Sequence, residues 1–352
     1  MYDGARSQPM TQRPTPMPER PDRVDDDPLS EVLRAVRFTR TLYYTVSAAQ
    51  PWPAIRVPAG EAMAPALPSR TQIVLSYHVV VQGACWSGLE GGAPVRLERG
   101  DAIVYPRGDA YFLAPERDQG SGDADVAGMV ALLSGVASGT VPPVFTYGPD
   151  DAQSTRFVCG FLGCDPRPFD PLLWTLPPMF RVRGTDGRLG SLVQLALAAG
   201  EGAGAAAVRE RLSESMFLET LRLHLSTVED AEVGWLAGLR DPVVGRALAA
   251  MHGDPATAWT LASLGRVAGA SRSVLAERFM DVVGQPPMRY LAGWRMQLAA
   301  RLLGTGDAKV SDVAIEVGYD SEAAFSRAFK RATGAAPAAW RDGRTDNRWP
   351  RT

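Results

Sequence analysis

The sequence has no long apolar stretch, on which membrane-spanning proteins depend. It also has few cysteines, on which disulfide-stabilised proteins depend. No apolar run approaches the roughly 20 residues that a membrane-spanning helix requires. Only three cysteines occur among 352 residues, and a small, odd number of cysteines does not suit a disulfide framework. We therefore expect no membrane partner and no structural disulfides.

The N-terminal segment lacks the apolar core of a signal peptide. Residues 1–27 are rich in proline, arginine and aspartate, a composition typical of disordered chain. Because secretion signals need a continuous apolar stretch, this segment is predicted to be a disordered arm and the protein is expected to be cytoplasmic.

Charge is nearly balanced over the whole chain, at −2, but it is distributed unevenly. Residues 241–352 carry 15 Lys and Arg against 11 Asp and Glu, whereas the preceding residues carry 22 against 28. The C-terminal end is therefore the end that suits a polyanionic partner, although the asymmetry alone is weak evidence.

A repeated segment lies within this basic end. Residues 263–287, SLGRVAGASRSVLAERFMDVVGQPP, align without a gap with residues 313–337, VAIEVGYDSEAAFSRAFKRATGAAP, at an offset of 50. Equivalent positions include Val267 and Val317, Ser271 and Ser321, Leu275 and Phe325, Phe279 and Phe329. Such matching predicts one supersecondary unit that is used twice.

Each copy has the pattern of a helix-turn-helix. A short amphipathic helix ends near Gly269 or Gly318, and Ser271 or Ser321 is placed to N-cap the next helix. The pairs at spacing i,i+4 should pack inward, which leaves small and polar side chains outside for a nucleic-acid groove. The predicted DNA-contacting residues are Ser271, Arg272, Ser273 and Ala276 in the first copy, and Ser321, Glu322, Ala323, Ser326, Arg327, Lys330 and Arg331 in the second.

The stretch between the copies, MRYLAGWRMQLAARLL (288–303), has helical apolar spacing. Sixteen residues of helix span about 24 Å. With its flanking turns, such a helix could hold two recognition helices about 34 Å apart, which is one turn of B-DNA.

The segment from about 241 to 342 resembles the AraC/XylS family of DNA-binding domains. The resemblance rests on ASRSVLAERF, YLAGWRMQLAARLL and VSDVAIEVGYDSEAAFSRAFKRATGAAPAAWR. It implies a transcription regulator whose partner is double-stranded DNA, with RNA polymerase as a further candidate partner. Gly265 departs from the alanine usual in the family and should loosen the first helix by about 1 kcal/mol. Glu277 should repel phosphate, so we expect the two copies to contribute unequally.

The N-terminal half consists of short β-prone runs separated by Gly and Pro, which predicts a β-barrel or sandwich. The spacing of Gly100, Pro106, Gly108 and Tyr111 resembles the second cupin motif, with tyrosine in the place of the metal-binding histidine. Only His78 of the three histidines falls in this half, so ligands for a catalytic metal are too few. His78 is more simply a hydrogen-bonded strand residue, and we expect no enzyme activity, metal or cofactor.

The strings YHVVVQGACWSGLEGGAPVRLERGDAIVYPRGDA and FVCGFLGCDPRPFDPLLWTLPPMFRV resemble the cupin-type sensor domain of some AraC-type regulators. That likeness implies an effector, either a small molecule or an oxidant. The candidate effector or redox residues are His78, Cys85, Tyr111, Cys159 and Cys164, although burial as small core residues is the simpler interpretation of the cysteines. The alternative function is a metal-dependent cupin enzyme fused to a nucleic-acid-binding module.

Residues 187–240 are predicted to form a helical connector, with helices at about 188–199 and 205–226. The second helix has more apolar surface than it can bury alone, so it either dimerises or packs within its own chain. The predicted fold class is therefore α+β, with a cupin-like β-barrel (28–186), this connector, an all-α double helix-turn-helix domain (241–342) and a tail (343–352).

Overall fold

The computed structural model describes residues 30, 38–67, 71, 73–117, 123–148, 154–164, 176–184, 187–200, 202–227, 234–304 and 308–342. The predicted disordered arm (1–27) and the predicted tail (343–352) lie outside the described residues.

Ten strands of the described N-terminal half form two sheets. They are β1 (Phe38–Ala48), β2 (Ile55–Val57), β3 (Ile73–Gln82), β4 (Ala84–Leu89), β5 (Val95–Glu98), β6 (Ala102–Tyr105), β7 (Tyr111–Ala114), β8 (Val144–Tyr147), β9 (Thr155–Cys164) and β10 (Phe180–Val182). The larger sheet has the order β10-β6-β3-β9-β1-β8 and the smaller sheet the order β2-β7-β4-β5. In the larger sheet only β1 and β8 pair in parallel.

The six-stranded sheet is covered on both faces. Along β3, Val74 and Val80 belong to a core shared with the smaller sheet, whereas Leu75, Tyr77 and Val79 belong to a core shared with the helices that follow. Adjacent side chains of a strand point to opposite faces, so a strand covered on both sides reads as an almost continuous apolar run. The predicted sheet-rich cupin-like fold is confirmed.

Two helices interrupt the strands, and the sequence analysis predicted neither of them. They are α1 (Gly60–Met63) and α2 (Val126–Ser138). Asp125 N-caps α2 by accepting a hydrogen bond from the Gly128 amide, and Gly139 ends it with φ +74°. Asp125 and Gly139 were the sequence signals for this helix. They did not decide the prediction, because the apolar segment between them is equally typical of a buried strand.

The connector folds as two helices, α3 (Arg188–Ala198) and α4 (Ala205–Thr227), as the sequence predicted. The hairpin packs on the outer face of the six-stranded sheet. The Tyr77 hydroxyl lies 2.8 Å from Ser213 Oγ, and the Thr41 hydroxyl donates to Glu214 at 3.0 Å. Of the two interpretations left open, packing within the same chain is therefore observed, while dimerisation stays a prediction.

Eight helices follow in the described C-terminal part. They are α5 (Trp235–Arg240), α6 (Val244–Gly253), α7 (Leu261–Ala268), α8 (Arg272–Val283), α9 (Pro287–Gly304), α10 (Val310–Glu316), α11 (Glu322–Thr333) and α12 (Pro337–Arg341). The long helix α9 buries Tyr290, Leu291, Trp294 and Leu298. It forms the predicted link between the repeated units. We call α7 with α8 the first unit, α10 with α11 the second unit, and α8 and α11 the recognition helices.

Candidate nucleic-acid interface and sensor core

Both recognition helices begin at a capping serine. Ser271 Oγ accepts a hydrogen bond from the Val274 amide, and Ser321 Oγ accepts one from the Ala324 amide, each at 3.2 Å. Such bonds satisfy amide groups that the first helical turn leaves without a partner. The two predicted N-caps are confirmed.

The sequence analysis aligned the two copies at a uniform offset of 50. This offset is wrong for the residues that precede the capping serines. Gly269 and Gly318, both with positive φ, end α7 and α10 and lie 49 residues apart. The amide that follows each glycine bonds back in the same way, Ala270 to the Gly265 carbonyl and Tyr319 to the Ala314 carbonyl. The turn of the second unit therefore holds one residue more than the turn of the first.

This shift changes which residues correspond. Val267, which the sequence paired with the buried Val317, is 48% exposed, and it is Ala268 that is buried. The counterpart of Gly265 becomes Ala314, which is also buried. A Cβ atom at Gly265 would lie 2.8 Å from the Ala270 carbonyl oxygen. The shorter first turn thus gives Gly265 a packing role that the sequence analysis did not predict.

The outward faces of the recognition helices differ in charge. In α11, Arg327, Lys330 and Arg331 are exposed, and their side chains make no hydrogen bond or ion pair with any other described residue. In α8, Arg272 is similarly unpaired among the described residues, but Arg278 forms an ion pair with Asp241 at 2.6 Å.

The other predicted contact residues also lie near the outer surface. Exposed positions are Ser271, Ser273, Ser321, Glu322 and Ala323, while Ala276 and Ser326 are half-buried. The first unit adds two exposed apolar side chains, Val274 at 47% and Met280 at 43%. The two recognition helices therefore offer DNA different chemistry.

One arginine of α9 connects the two units. Arg295 donates to three backbone carbonyls: Nε to Pro255 at 2.7 Å, Nη2 to Thr257 at 2.8 Å and Nη1 to Gly318 at 3.2 Å. Two of these carbonyls precede the first unit and the third lies in the turn of the second. The sequence analysis missed this residue, and the only signal was a charged side chain beside the apolar stripe of α9. Arg295 ties the segment just before the first unit to the turn of the second.

The sensor candidates His78, Tyr111 and Cys159 meet between the two sheets. His78 Nε2 lies 2.6 Å from the Tyr111 hydroxyl, and His78 Nδ1 lies 3.0 Å from Cys159 Sγ. The Tyr111 ring stacks on Tyr105 at 3.7 Å between ring centroids. Burial lowers the pKa of His78 to about 3, which keeps the imidazole neutral. The prediction that His78 is a hydrogen-bonded strand residue is confirmed.

The three cysteines are buried thiols and do not form one cluster. Burial raises the pKa of Cys85 to about 12 and raises that of Cys159 well above its ordinary value. Cys164 belongs to the core on the opposite face of the sheet from Cys85 and Cys159. Oxidant chemistry requires thiolate character and access, so these environments favour the interpretation of the cysteines as core residues.

Neither a metal site nor a membrane segment is found in the described part of the chain. Its His, Cys, Asp and Glu side chains form no group of three or more that could hold a metal ion. None of its helices combines the length and apolar character needed to cross a bilayer.

Comparison with known proteins places the chain in a family. Residues 27–226 match the family described as Cupin, and residues 264–343 match a helix-turn-helix domain family. A putative AraC-like transcription regulator of Streptomyces lividans is 34% identical over 323 residues, which cover 90% of this chain and 98% of that protein. The chain belongs to the AraC family of transcription regulators. The resemblance seen in the sequence is thereby confirmed.

Two further relatives agree with this assignment. A putative AraC-like transcription regulator of Streptomyces antibioticus is 37% identical, over 76% of this chain and 87% of that protein. The transcriptional regulator AlkR of Acinetobacter baylyi is 26% identical, over 90% of this chain and 99% of that protein. In this AraC-family chain the cupin match runs to residue 226 and so includes the hairpin of α3 and α4, in keeping with its packing on the sheet.

Proposed function

We propose that this AraC-family regulator binds two successive major-groove segments of double-stranded DNA, one with each recognition helix. The observation that carries this proposal is the pair of serine-capped recognition helices joined by helix α9, whose Arg295 ties the segment just before the first unit to the turn of the second through three hydrogen bonds. A fixed pair of recognition helices suits a site whose two halves lie on one face of the duplex.

The second unit supplies most of the attraction to the phosphate backbone in this proposal. The side chains of Arg327, Lys330 and Arg331 make no hydrogen bond or ion pair within the described residues, so they are available to contact phosphate or groove edges. Ser321 orients the start of its helix toward a phosphate. In the first unit the corresponding contacts come from Ser271, Arg272 and Ser273.

The cupin domain senses the effector in this proposal, and the protein acts without catalytic chemistry of its own. The buried, protonated cysteines favour a small molecule over an oxidant. A homodimer would present further recognition helices to a longer operator, and RNA polymerase is the proposed protein partner at the promoter. We expect the protein to carry out this DNA-binding role in the cytoplasm.

Salt dependence of DNA binding tests the contact assignment. DNA selected from random sequence by the full-length protein provides the probe, and the double variant Arg327→Ala, Lys330→Ala removes two proposed phosphate contacts. The slope of log affinity against log salt should become shallower by about 2, since each contact contributes about 0.9. Arg211→Ala, at an exposed arginine of α4, is the matched control. An unchanged slope in the double variant would remove these residues from the interface.

A further inference from the structure

A small cavity lies between the outer face of the six-stranded sheet and the α3–α4 hairpin. Its volume is about 180 Å³, and its wall includes Tyr43 and Thr45 of β1, Val144 of β8, Leu197 of α3 and Arg209 of α4. Tyr43 belongs to the core on this outer face, while its neighbours Leu42 and Tyr44 belong to the core between the sheets. The cavity is therefore separate from the cluster of His78, Tyr111 and Cys159.

The Tyr43 hydroxyl is buried and has no hydrogen-bond partner among the residues that the structure describes. Tyr77 stands on the same face of the sheet, but its hydroxyl is satisfied by Ser213 at 2.8 Å. Buried polar groups are nearly always hydrogen-bonded because an unmade bond costs free energy. An unpartnered hydroxyl at the wall of a cavity therefore indicates a missing acceptor or donor.

Arg209 places a positive charge beside this hydroxyl. Its guanidinium donates to the Gly200 carbonyl, and it makes no other hydrogen bond or ion pair within the described residues. The adjacent Glu210 is paired instead with Arg40 at 3.4 Å. Burial raises the pKa of Tyr43 to about 12, and the charge of Arg209 partly opposes that rise, so the two groups interact electrostatically.

We propose that this cavity binds a small carboxylate that carries a compact apolar group. The carboxylate accepts hydrogen bonds from the Arg209 guanidinium and the Tyr43 hydroxyl, while the apolar group contacts Val144 and Leu197. Water occupies about 30 Å³ per molecule in the liquid, so the cavity suits a ligand of about six or seven non-hydrogen atoms.

Helix α4 connects this cavity to the DNA-binding part of the chain. From Arg209 to Leu225 the helix runs about 24 Å, and the Leu225 carbonyl accepts a hydrogen bond from Arg240 Nη2 of α5 at 2.6 Å. A carboxylate that binds Arg209 therefore contacts α4, and the other end of α4 contacts α5, the first helix of the C-terminal part. The proposal that this cavity is an effector site rests on the proposed function, whereas the proposal that it binds a carboxylate does not.

Calorimetric titration of the full-length protein without DNA tests the site. The probe is isovalerate, and the comparison ligand is its neutral isostere isovaleramide. Isovalerate should bind at least about tenfold more tightly than isovaleramide, because only isovalerate has the negative charge that pairs with Arg209. Equal binding of the acid and the amide, or no binding of isovalerate at about 10 mM, would overturn the proposal.

Three variants assign the binding to these residues. Arg209→Gln should abolish isovalerate binding, and Tyr43→Phe should weaken it about tenfold without lowering the melting temperature, since it removes a hydroxyl that has no partner. Arg211→Gln, on the same helix but 81% exposed, should leave binding unchanged. Retained affinity in Arg209→Gln would contradict the site even if every variant folds.

DNA binding with and without isovalerate separates the two proposals. A change in DNA affinity that Arg209→Gln removes would support the effector role. Isovalerate binding with no change in DNA affinity would overturn that role alone. Failure of the protein to bind any DNA would instead contradict the proposed function and leave the carboxylate site standing.

Discussion

The two helix-turn-helix units share one plan but differ in turn length and in charge. Each has a glycine-terminated helix followed by a serine-capped recognition helix. The first unit has the shorter turn, pairs Arg278 with Asp241 and exposes Val274 and Met280. The second has the longer turn and three exposed cations, Arg327, Lys330 and Arg331, without partners in the described chain.

The two units therefore share a fold but expose different side chains. Phosphate attraction depends on cations that are free of protein partners, so the second unit should supply most of the affinity. Apolar and uncharged side chains contribute through base edges and thymine methyl groups. The first unit should therefore contribute mainly to the choice of DNA sequence.

Loss of the three Arg295 hydrogen bonds should have the largest effect on the free energy of unfolding. Arg295→Ala leaves three backbone carbonyls without their charged donor and should lower the free energy of unfolding by about 2–4 kcal/mol. Arg295→Lys should recover only part of this loss, because an ammonium group lacks the planar fork of guanidinium. Urea unfolding measures both variants. Arg289→Ala, at an exposed arginine of the same helix, is the control. If Arg295→Ala lowers the free energy of unfolding no more than Arg289→Ala does, the Arg295 hydrogen bonds are unimportant for stability.

The turn lengths are tested by exchanging glycine and alanine between the units. Gly265→Ala should destabilise the protein by about 1–3 kcal/mol, because its methyl group collides with the Ala270 carbonyl. Helix propensity alone would give the opposite sign, a gain of up to about 1 kcal/mol. Ala314→Gly should also destabilise, since the second unit has room for the methyl group. A higher melting temperature for Gly265→Ala would contradict the shifted correspondence.

The two N-caps should respond alike, since both serine bonds have the same length. Ser271→Ala and Ser321→Ala should each cost about 1 kcal/mol of unfolding free energy. Ser273→Ala, at an exposed serine within the first recognition helix, should have little effect. The measurement is chemical denaturation without DNA, and a cost confined to one unit would show that the caps are not equivalent.

The smallest expected effect concerns the acidic residue of the first unit. Glu277→Gln removes a negative charge from the outer face of α8 and should raise DNA affinity about twofold to threefold at low salt, with the gain lost at high salt. Competition binding at two salt concentrations measures it. A loss of affinity would mean that Glu277 makes a favourable contact with a base.

Local features of these units were predictable from sequence, while contacts between distant segments were not. The caps at Ser271 and Ser321 and the buried Phe325 and Phe329 follow from spacings of three and four residues, which helix geometry fixes. The extra turn residue was visible in the spacing from glycine to serine, which is two residues in the first copy and three in the second. The match of Val267 with Val317 nevertheless favoured a uniform offset of 50.

Non-local contacts depend on packing that no short pattern encodes. Arg295 bonds to residues 40, 38 and 23 positions away, so its role could not be read from its own helix. The same holds for His78, whose partners lie 33 and 81 residues along the chain on other strands. The cupin-like spacing pointed to Tyr111, but only the strand register brings its hydroxyl to the histidine.

Footprinting at increasing salt on DNA selected by the full-length protein tests whether the two units bind DNA with different strength. We expect two protected segments about one helical turn apart, of which the segment at the second unit persists to higher salt. Arg272→Ala should weaken protection at the first segment only. A single protected segment, or two segments that are lost together at the same salt concentration, would contradict the proposed division between the units.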